Sequence, residues 1–380
     1  MKICYVLLSP TFGMHQYTAD LATRMLERGH QVHVVTTRRA PLDRYPPHAN
    51  LHTPVETTDT GFSAQAFRLG SLRQVWRTLS ALRPDVAHFA GPHAWNPLLL
   101  LALGRAGIAT VHTLHDLHPH LGTRYGRLLV VWNQAVQRSA ERIVVHGERY
   151  RREVEAAQGR PTKVECFPLT HLFVSWLEQQ RLAAVSPTIS YEPWALFFGR
   201  LEAYKGLSVL AKAASMIRSS GPPQGRVVIA GKGDTRSLLG EALPANVTVL
   251  NHLVNDQQAV DLFARCGLVV LPYIEATQSA LVAAAYYFRK PVLVTNVGAL
   301  PEYVNQGETG WVVPPGDPAA LARSLDEALG QPHRLRLLGE AGRAWYEQAD
   351  RQATDTLDAL YADLAGAKAS ASCRQGLPSL

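Results

Sequence analysis

Short apolar runs alternate with amphipathic stretches from the start of the chain. Residues 3–8 form a continuous apolar run, which is typical of a parallel strand covered on both faces. From His15 to Arg28 the apolar positions follow helical spacing, Gly29 ends that segment, and residues 32–36 form the next apolar run. This order predicts one strand–helix–strand unit.

The alternation continues through the first half of the chain and then starts again. Further strands are predicted in the first half at 85–89, 109–113 and 143–146, with helices at 72–82 and 98–103. The second half has predicted strands at 195–198, 226–230, 247–250, 268–271 and 292–295, and a helix at 207–217. Strands that alternate with helices indicate parallel, doubly wound sheets. The predicted fold class is therefore α/β, with two Rossmann-like domains.

Residues 181–193 contain two prolines and are suited to a linker between these units. We therefore predict an N-terminal domain over 1–180 and a C-terminal domain over 194–345. A helix over 346–364 is expected to pack back on the first domain, and the small, polar tail 365–380 is expected to be disordered. Because ligands bind beyond the carboxyl ends of parallel strands, two such domains facing each other across a cleft would enclose a ligand.

Composition narrows the class of protein further. With 380 residues, of which 47% are hydrophobic and 18% charged, the chain can bury a substantial core. No apolar run reaches the length of a membrane span, and the N-terminus lacks the features of a secretory signal, so a cytoplasmic location is expected. The four cysteines are scattered without a C-x-x-C pair, which argues against a zinc site or a disulfide framework.

The net charge of +7 is concentrated in the first half, where residues 1–165 carry 20 basic and 12 acidic side chains. A basic N-terminal half is compatible with peripheral contact with an anionic membrane surface or with an acidic acceptor, and a generally solvated basic surface explains the excess at least equally well. No basic stripe interleaved with aromatic residues is present, so a nucleic-acid partner is not expected.

The loops after the predicted strands are the candidate functional segments. In the first loop, Gly13 stands just before a helix, where backbone amides can bind an anion, and His15 follows it as an acceptor-side candidate. The loop is not G-x-G-x-x-G, and no acidic residue closes the second strand, which argues against a nicotinamide dehydrogenase. The alternative is that Gly13 only makes the turn.

Histidines cluster after the strand at 109–113. Four lie within 112–120, at a spacing that matches no familiar zinc site, so a polar patch facing the cleft is favoured over a metal site. His115 beside Asp116 is a candidate pair for orienting a substrate, and His112 is a further candidate on the acceptor side.

Two basic residues follow the strand at 195–198. Arg200 and Lys205 lie in a loop that begins with Gly199 and leads into a helix. An arginine fork and a mobile lysine can both bind a diphosphate, and their position after a buried strand favours this role over an ordinary surface pair.

Two further loops are candidates for donor binding. A glycine-rich turn with Gly231 and Gly233 follows the strand at 226–230, although it is a weak signal by itself. The loop after 268–271 precedes a helix, and its candidates for an anion site or for contacts to hydroxyl groups are Glu275, Thr277, Gln278 and Ser279. The alternative is a loop that only caps the helix.

Together these segments resemble the family 4 glycosyltransferases of the GT-B fold. The resemblance runs from residue 1 to about 330 and is most specific at Gly199-Arg200…Lys205-Gly206, 230–233, 290–304 and 310–317. It implies a retaining transfer of a sugar from a nucleotide diphosphate sugar to an acceptor, with no cofactor and usually no metal. The absence of a D-x-D sequence agrees with a metal-free reaction.

The resemblance also implies roles for particular residues. Arg200 and Lys205 match the basic pair that binds the donor diphosphate, and His115, or else His112, matches the histidine beside the donor sugar. Gly13 matches the loop near the diphosphate and the acceptor. The acceptor is expected to be a carbohydrate, a lipid-linked molecule or another small molecule.

The chain departs from the family pattern at several positions. Family members commonly carry two glutamates eight positions apart, and those positions here hold Ala276 and Ala284. The segment instead resembles a subgroup with Ala-Thr-Gln-Ser, which makes Gln278 and Ser279 the better donor contacts. Arg289 stands where a glycine is usual.

Two other functions stay open on the sequence. A nucleotide-sugar epimerase of the same architecture would need acid and base carboxylates, for which Glu275 and Asp116 are the candidates. A non-catalytic subunit that only binds a sugar nucleotide is suggested by Ala284.

Overall fold

The computed structural model describes residues 1–118, 126–157, 163–217, 226–240 and 242–375. Within them the chain forms two parallel sheets, one in each half. The end of the predicted tail, 376–380, and His120 of the histidine-rich segment lie outside the described residues.

The first sheet has seven described strands in the order β3-β2-β1-β4-β5-β6-β7. They are β1 (Lys2–Leu7), β2 (Gln31–Thr37), β3 (Asn50–Val55), β4 (Val86–Phe89), β5 (Ala109–Thr113), β6 (Arg142–Val145) and β7 (Lys163–Cys166). The helices described in this half are α1 (Phe12–Glu27), α2 (Leu69–Leu82), α3 (Asn96–Arg105), α4 (Gly126–Ser139) and α5 (Glu148–Ala157). The apolar pattern does not predict strands β3 and β7, because each mixes polar and apolar residues.

The second sheet has six described strands in the order β10-β9-β8-β11-β12-β13. They are β8 (Trp194–Phe198), β9 (Arg226–Ala230), β10 (Val247–Leu250), β11 (Leu268–Leu271), β12 (Val292–Thr295) and β13 (Gly310–Val313). Its helices are α6 (Trp176–Ala184), α7 (Leu207–Met216), α8 (Thr235–Leu239), α9 (Asp256–Arg265), α10 (Leu281–Tyr287), α11 (Pro318–Leu329) and α12 (Pro332–Gln375). The predicted α/β class with two doubly wound sheets is confirmed. Among the described helices, none is both long and apolar enough to cross a bilayer.

Strand β1 shows why the first apolar run is continuous. Cys4 and Val6 pack in the core under α2, α3 and α4, whereas Ile3 and Tyr5 pack in the core under α1 and the end of α12. All four side chains are buried. Because successive side chains of a strand point to opposite faces, a strand covered on both faces needs an apolar residue at every position.

The last helix contacts both domains. The first part of α12 packs on α10, while Leu357, Tyr361 and Leu364 lie in the core of the N-terminal domain. The helix continues to Gln375, so the prediction of disorder from residue 365 is wrong as far as 375. Alanine at every second position from 365 to 371 favours helix, and the ammonium of Lys368 pairs with Glu141.

The boundary between the domains falls earlier than the sequence predicts. Leu172, Val174 and Leu182 pack in the core of the second domain. The predicted boundary at 180 therefore lies inside α6, a helix that belongs to the second domain by its packing. Prolines mark a linker in the sequence, but they do not reveal on which domain a short neighbouring helix packs.

Each sheet has one point at which the strand order reverses. In the first sheet this switch point lies between β1 and β4, and in the second it lies between β8 and β11. Open parallel sheets bind ligands in the crevice beyond the strand ends at such a point. The loops after β8 and β11 are the ones that contain Arg200, Lys205 and residues 275–279.

Candidate active site

Glycines bring the loops after β8 and β9 together. Gly199 has φ +120° and Gly231 has φ +150°, a backbone region that favours glycine. A Cβ on Gly231 would lie 1.9 Å from the carbonyl oxygen of Gly199, and a Cβ on Gly233 would lie 2.4 Å from that of Leu201. A side chain at Gly231 or Gly233 would push the loops apart. Gly199, Gly231 and Gly233, which were proposed as donor contacts together with Gly13, thus set the backbone path of the loop that contains Arg200.

Lys205 is a cation held inside the protein. Its side chain is 8% exposed, and its ammonium lies 5.9 Å from the ring centre of Tyr204 and 5.7 Å from that of Tyr273. A Cβ on Gly199 would be 3.1 Å from Nζ, so the ammonium lies beside the glycine turn. Burial lowers the pKa of Lys205 to about 8, and the carboxylate of Glu202 opposes this shift. Burial removes water from this ammonium at a cost in free energy, so the protein should bind an anion that pairs with it.

Arg200 is the exposed member of the basic pair. Its side chain is 72% exposed, and Nη1 lies 2.8 Å from Oε1 of Glu202. An ion pair this exposed contributes about 0–1 kcal/mol, because water competes for both charges. Arg200 therefore has a carboxylate partner, but one that an anionic ligand can displace.

The loop after β11 contacts the other domain directly. Thr277 Oγ1 donates a hydrogen bond to Oδ1 of Asp116 over 3.0 Å, and Gln278 Nε2 donates to the carbonyl oxygen of His115 over 2.7 Å. These partners are 161 and 163 residues apart in the chain. The structure thus brings the proposed donor loop and the histidine loop to one junction.

Glu275 and Ser279 make local contacts in the same loop. The amide of Glu275 donates to the carbonyl of Tyr204 over 3.3 Å, which joins the loop after β11 to the loop after β8. Ser279 Oγ accepts from the amide of Leu281 at the start of α10 over 3.3 Å. Ala276 and Ala284, which stand where the family commonly has glutamates, are both buried.

His115 is a half-buried, neutral imidazole at the junction. Its Nε2 lies 2.9 Å from the carbonyl oxygen of Ala90, so this nitrogen carries the proton and Nδ1 is an acceptor. Burial lowers the pKa of His115. Its ring meets the ring of Tyr17 edge-on at 4.8 Å between centres. Such a ring can hydrogen-bond to a sugar hydroxyl, but it brings no charge to the site.

The other N-terminal candidates lie at different depths. His112 is buried, and burial lowers its pKa to about 3. His15 is buried too, with Nδ1 2.7 Å from Tyr45 Oη and Nε2 2.9 Å from the carbonyl oxygen of Ser9, so both nitrogens have protein partners. Gly13 lies in the first turn of α1 and has open space where a Cβ would be. Within the described part of the chain, no three His, Cys, Asp or Glu side chains are placed to hold a metal ion.

A cavity of about 360 Å³ opens beyond β5 in the N-terminal domain. Its lining includes the loop of Asp116 and the aromatic side chains Phe62 and Trp132, whose rings meet edge-on at 5.7 Å. Asp59 and Asp116 also line it, and no lysine or arginine does so among the described residues. The cavity therefore suits a hydroxylated molecule with an apolar part better than a polyanion.

A second junction between the domains is absent from the sequence-based prediction. Both carboxylate oxygens of Glu302 accept hydrogen bonds from the first amides of α5, those of Glu148 at 2.6 Å and Arg149 at 3.0 Å. A carboxylate is favoured at a helix N-terminus because the amides there have no partner within the helix. Tyr303 Oη donates to the carbonyl oxygen of His146. The family-like segment contains both Glu302 and Tyr303, but nothing in the sequence shows that they reach across the domains.

Two family models match the chain. The model described as Glycosyl transferase 4-like domain matches residues 12–170, and the model described as Glycosyl transferases group 1 matches residues 192–331. The first match covers the first sheet except β1, and the second match covers all six described strands of the second sheet.

Relatives along most of the chain agree with these matches. A D-inositol 3-phosphate glycosyltransferase of Streptomyces scabiei is 26% identical over 380 residues, which covers 88% of this chain and 82% of the relative. A sucrose-phosphate synthase of Thermosynechococcus elongatus has a similar structure (TM-score 0.72, 18% identity, 96% of this chain and 100% of the other). So does Anabaena HepE in complex with UDP-glucose (TM-score 0.69, 18% identity, 94% and 100%), and the GT-B fold is thereby confirmed. The chain is therefore a glycosyltransferase of the GT-B fold, built from a glycosyl transferase 4-like domain and a glycosyl transferases group 1 domain.

Proposed function

We propose that this glycosyltransferase moves a sugar from a nucleotide diphosphate sugar to an acceptor hydroxyl, with retention of the anomeric configuration and without a divalent metal. The observation that carries the proposal is the buried ammonium of Lys205 at the switch point of the second sheet, with Arg200 in the same loop. Because Anabaena HepE was solved with UDP-glucose, a UDP-sugar is the first donor to test.

The chemistry requires positive charge near the leaving group. As the bond to the anomeric carbon breaks, that carbon becomes cationic and the diphosphate takes up negative charge. Arg200 and Lys205 supply two positive charges to the diphosphate, and preorganised groups of this kind are each worth about 10²–10³ in rate. The exposed pair between Arg200 and Glu202 is exchanged for the diphosphate at small cost.

The junction between the domains positions the donor sugar. Neutral His115 accepts a hydrogen bond from a sugar hydroxyl through Nδ1, because its Nε2 proton is held by Ala90. The hydrogen bonds of Thr277 and Gln278 keep the two loops together at this place. A closed junction also excludes water, which would otherwise hydrolyse the donor.

The acceptor is assigned to the cavity beyond β5. Its aromatic walls and the nearby carboxylate of Asp116 suit a hydroxylated molecule with an apolar part. The name of the Streptomyces relative gives D-inositol 3-phosphate, whose phosphate would here face Asp59 and Asp116. We therefore expect an uncharged part of a carbohydrate, a lipid-linked molecule or another small molecule to occupy this cavity.

The first experiment is a thermal-shift screen with UDP-, GDP-, ADP- and dTDP-sugars, because a ligand that binds the native state raises its melting temperature. The stabilising donor is then incubated with a panel of acceptors in the presence of EDTA, and the anomeric configuration of the product is determined by NMR. We expect one stabilising class of donor and a retained product.

Each part of the proposal can fail separately. An inverted product contradicts retention, and activity that returns only with added metal contradicts metal independence. Conversion of a UDP-hexose without any acceptor would indicate an epimerase. Donor binding without transfer or hydrolysis would indicate a non-catalytic subunit.

A further inference from the structure

The loop after β8 carries a carboxylate as well as its two cations. Glu202 lies two positions after Arg200 and three before Lys205. Its Oε1 lies 2.8 Å from Nη1 of Arg200, and its side chain is 32% exposed. The same carboxylate acts on Lys205, because it raises the pKa of that ammonium against the larger lowering by burial. The loop therefore combines two positive charges with one negative charge.

The backbone fixes the position of Glu202. The amide of Leu201 donates to the carbonyl of Lys232 over 3.0 Å, which joins the preceding residue to the loop after β9. The amide of Lys205 donates to the carbonyl of Glu202 over 3.1 Å, so one tight turn joins these two residues. The side chain of Glu202 makes no capping hydrogen bond to this turn. The carboxylate is thus left to pair with Arg200.

Two tyrosines also pack against the ammonium of Lys205. The ring centres of Tyr204 and Tyr273 lie 5.9 and 5.7 Å from it. Burial raises the pKa of both phenols, that of Tyr273 to about 12, so both are neutral near pH 7. The positive charge of Arg200 lowers the pKa of Lys205. Glu202 is therefore the group in this loop whose charge favours the ammonium while the site is empty.

Sugar transfer changes the charge of the molecule in the site. The donor carries about two negative charges, one on each phosphate. When the bond between the anomeric carbon and the phosphate oxygen breaks, its electron pair stays on that oxygen. The acceptor oxygen bonds to the carbon, and its proton passes to the leaving phosphate or to water. The terminal phosphate is then a monoester with about 1.5 to 2 negative charges near pH 7, so the product is more negative than the donor.

We propose that Glu202 is a built-in counter-anion, which stabilises the two cations in the empty site and favours release of the nucleoside diphosphate after transfer. The donor displaces the carboxylate from Arg200, but the carboxylate remains in the same loop. It repels the product more than the donor, because repulsion between like charges grows with their size. This inference rests on the proposed function.

The alternative is an ordinary surface ion pair between Glu202 and Arg200. Such a pair contributes little to stability, and its loss would leave the charge state of Lys205 and the affinity for anions unchanged. Those two quantities therefore distinguish a counter-anion from an ordinary pair.

The first test needs no ligand. The chain has seven lysines, so labelling lysine with ¹³C gives few NMR signals, and the variant Lys205→Arg identifies the signal of Lys205 by its loss. In Glu202→Gln, which keeps the shape of the side chain but removes its charge, Lys205 should lose its proton at a lower pH than in the wild type. Lys290 is an internal control, because it is also buried but its ammonium donates to the carbonyl of Ser190. Its titration should not change.

The second test measures anion affinity by calorimetry at about pH 6.5, below the pKa of Lys205. Inorganic pyrophosphate is a probe that does not depend on the nucleobase. Glu202→Gln should bind it about two- to fivefold more tightly than the wild type, and Lys205→Met should bind it more weakly. UDP-glucose and UDP then compare donor with product. The gain in affinity on Glu202→Gln should be at least about twofold larger for UDP than for UDP-glucose.

Two further variants control for the substitution itself. Glu202→Asp keeps the charge and should resemble the wild type more than Glu202→Gln does in both tests. Glu308→Gln makes the same chemical change at an exposed glutamate just before β13 and should behave like the wild type. Thermal melting checks that each variant is folded.

Three results would overturn the inference. One is an unchanged titration of Lys205 in Glu202→Gln, and another is an unchanged affinity of that variant for pyrophosphate. The third is an equal gain in affinity for UDP and UDP-glucose, which would refute a role in product release. Failure of the proposed function has a different sign, because Lys205→Met would then bind pyrophosphate as the wild type does.

Discussion

The strand ends of the two domains meet at one junction but differ in kind. On the N-terminal side, His15 is buried with both ring nitrogens bonded to the protein, whereas His115 is half-buried and, within the described residues, only its Nε2 is bonded, to the carbonyl of Ala90. Burial lowers the pKa of both rings. On the C-terminal side, Lys205 is a buried cation and Arg200 an exposed one with a weak partner. Neutral imidazoles provide shape and hydrogen bonds, whereas cations with little compensation provide binding energy for an anion. Changes on the two sides should therefore affect different quantities.

The largest effect is expected from the cations. Lys205→Met, which keeps most of the side-chain volume, and Arg200→Ala should each lower turnover about 10²–10³-fold, because each removes a positive charge from the leaving diphosphate. Steady-state kinetics with the identified donor measures the effect, and thermal melting checks the fold. Lys212→Ala removes an exposed lysine of the same domain and should leave turnover unchanged. Turnover near the wild-type rate in Lys205→Met would refute the charge assignment.

His15→Ala should act on stability instead. The substitution leaves a cavity and strips two hydrogen bonds from buried partners, so the free energy of unfolding should fall by about 2–3 kcal/mol. Urea unfolding measures the loss, and donor affinity should not change. His48→Ala, at an exposed histidine, is the control. A stable His15→Ala variant with weakened substrate binding would place His15 in the site after all.

Donor affinity should depend on the protonation of Lys205. Its pKa is about 8 in the free protein, and a bound diphosphate favours the charged form. Affinity should therefore be constant below pH 8 and weaken above it by up to about tenfold per pH unit, since binding then requires uptake of a proton. Lys205→Arg, which stays charged, should remove this slope. Calorimetry in two buffers of different ionisation enthalpy measures the uptake, and its absence at high pH contradicts the assignment.

The smallest effect is expected at the junction itself. Gln278→Ala removes one hydrogen bond to the carbonyl of His115, and a net hydrogen bond is worth about 0.5–1.5 kcal/mol. The donor KM should rise by roughly two- to tenfold at nearly constant turnover. Gln257→Ala on the surface of α9 is the matched control. A loss of turnover as large as that of Arg200→Ala would mean that Gln278 acts on the reacting groups.

Much of the fold follows from the sequence because buried parallel strands leave a continuous apolar run. Strands β9, β10, β11 and β12 have the predicted bounds for this reason. The pattern fails where a strand carries polar residues, as in β3 and β7, and where a helix has no strong boundary signal, as at the end of α12. Helices and strands can be predicted from the sequence where burial requires apolar residues at regular positions. They are harder to predict elsewhere.

The candidate site also has some features that the sequence predicts and others that it does not. The positions of Arg200 and Lys205 could be predicted because a loop after a buried strand has a known place in a doubly wound sheet. The burial of Lys205, the partner of His15 and the contact between Gln278 and His115 depend on segments far apart in the chain. No local sequence pattern predicts such contacts. Only the folded structure shows which candidate is a buried cation and which already has hydrogen-bond partners within the protein.

Helix α12 has a mechanical consequence for how the donor enters. With 44 residues it is about 66 Å long, and it is seated on α10 at one end and in the core of the first sheet at the other. Near its middle, Arg24 of α1 donates to Thr354 over 2.6 Å. Moving the two domains directly apart would break the packing of α12 against one of them. We therefore expect the cleft between the domains to open by rotation of one domain about an axis close to α12. The cleft would then widen most on the side farthest from this helix.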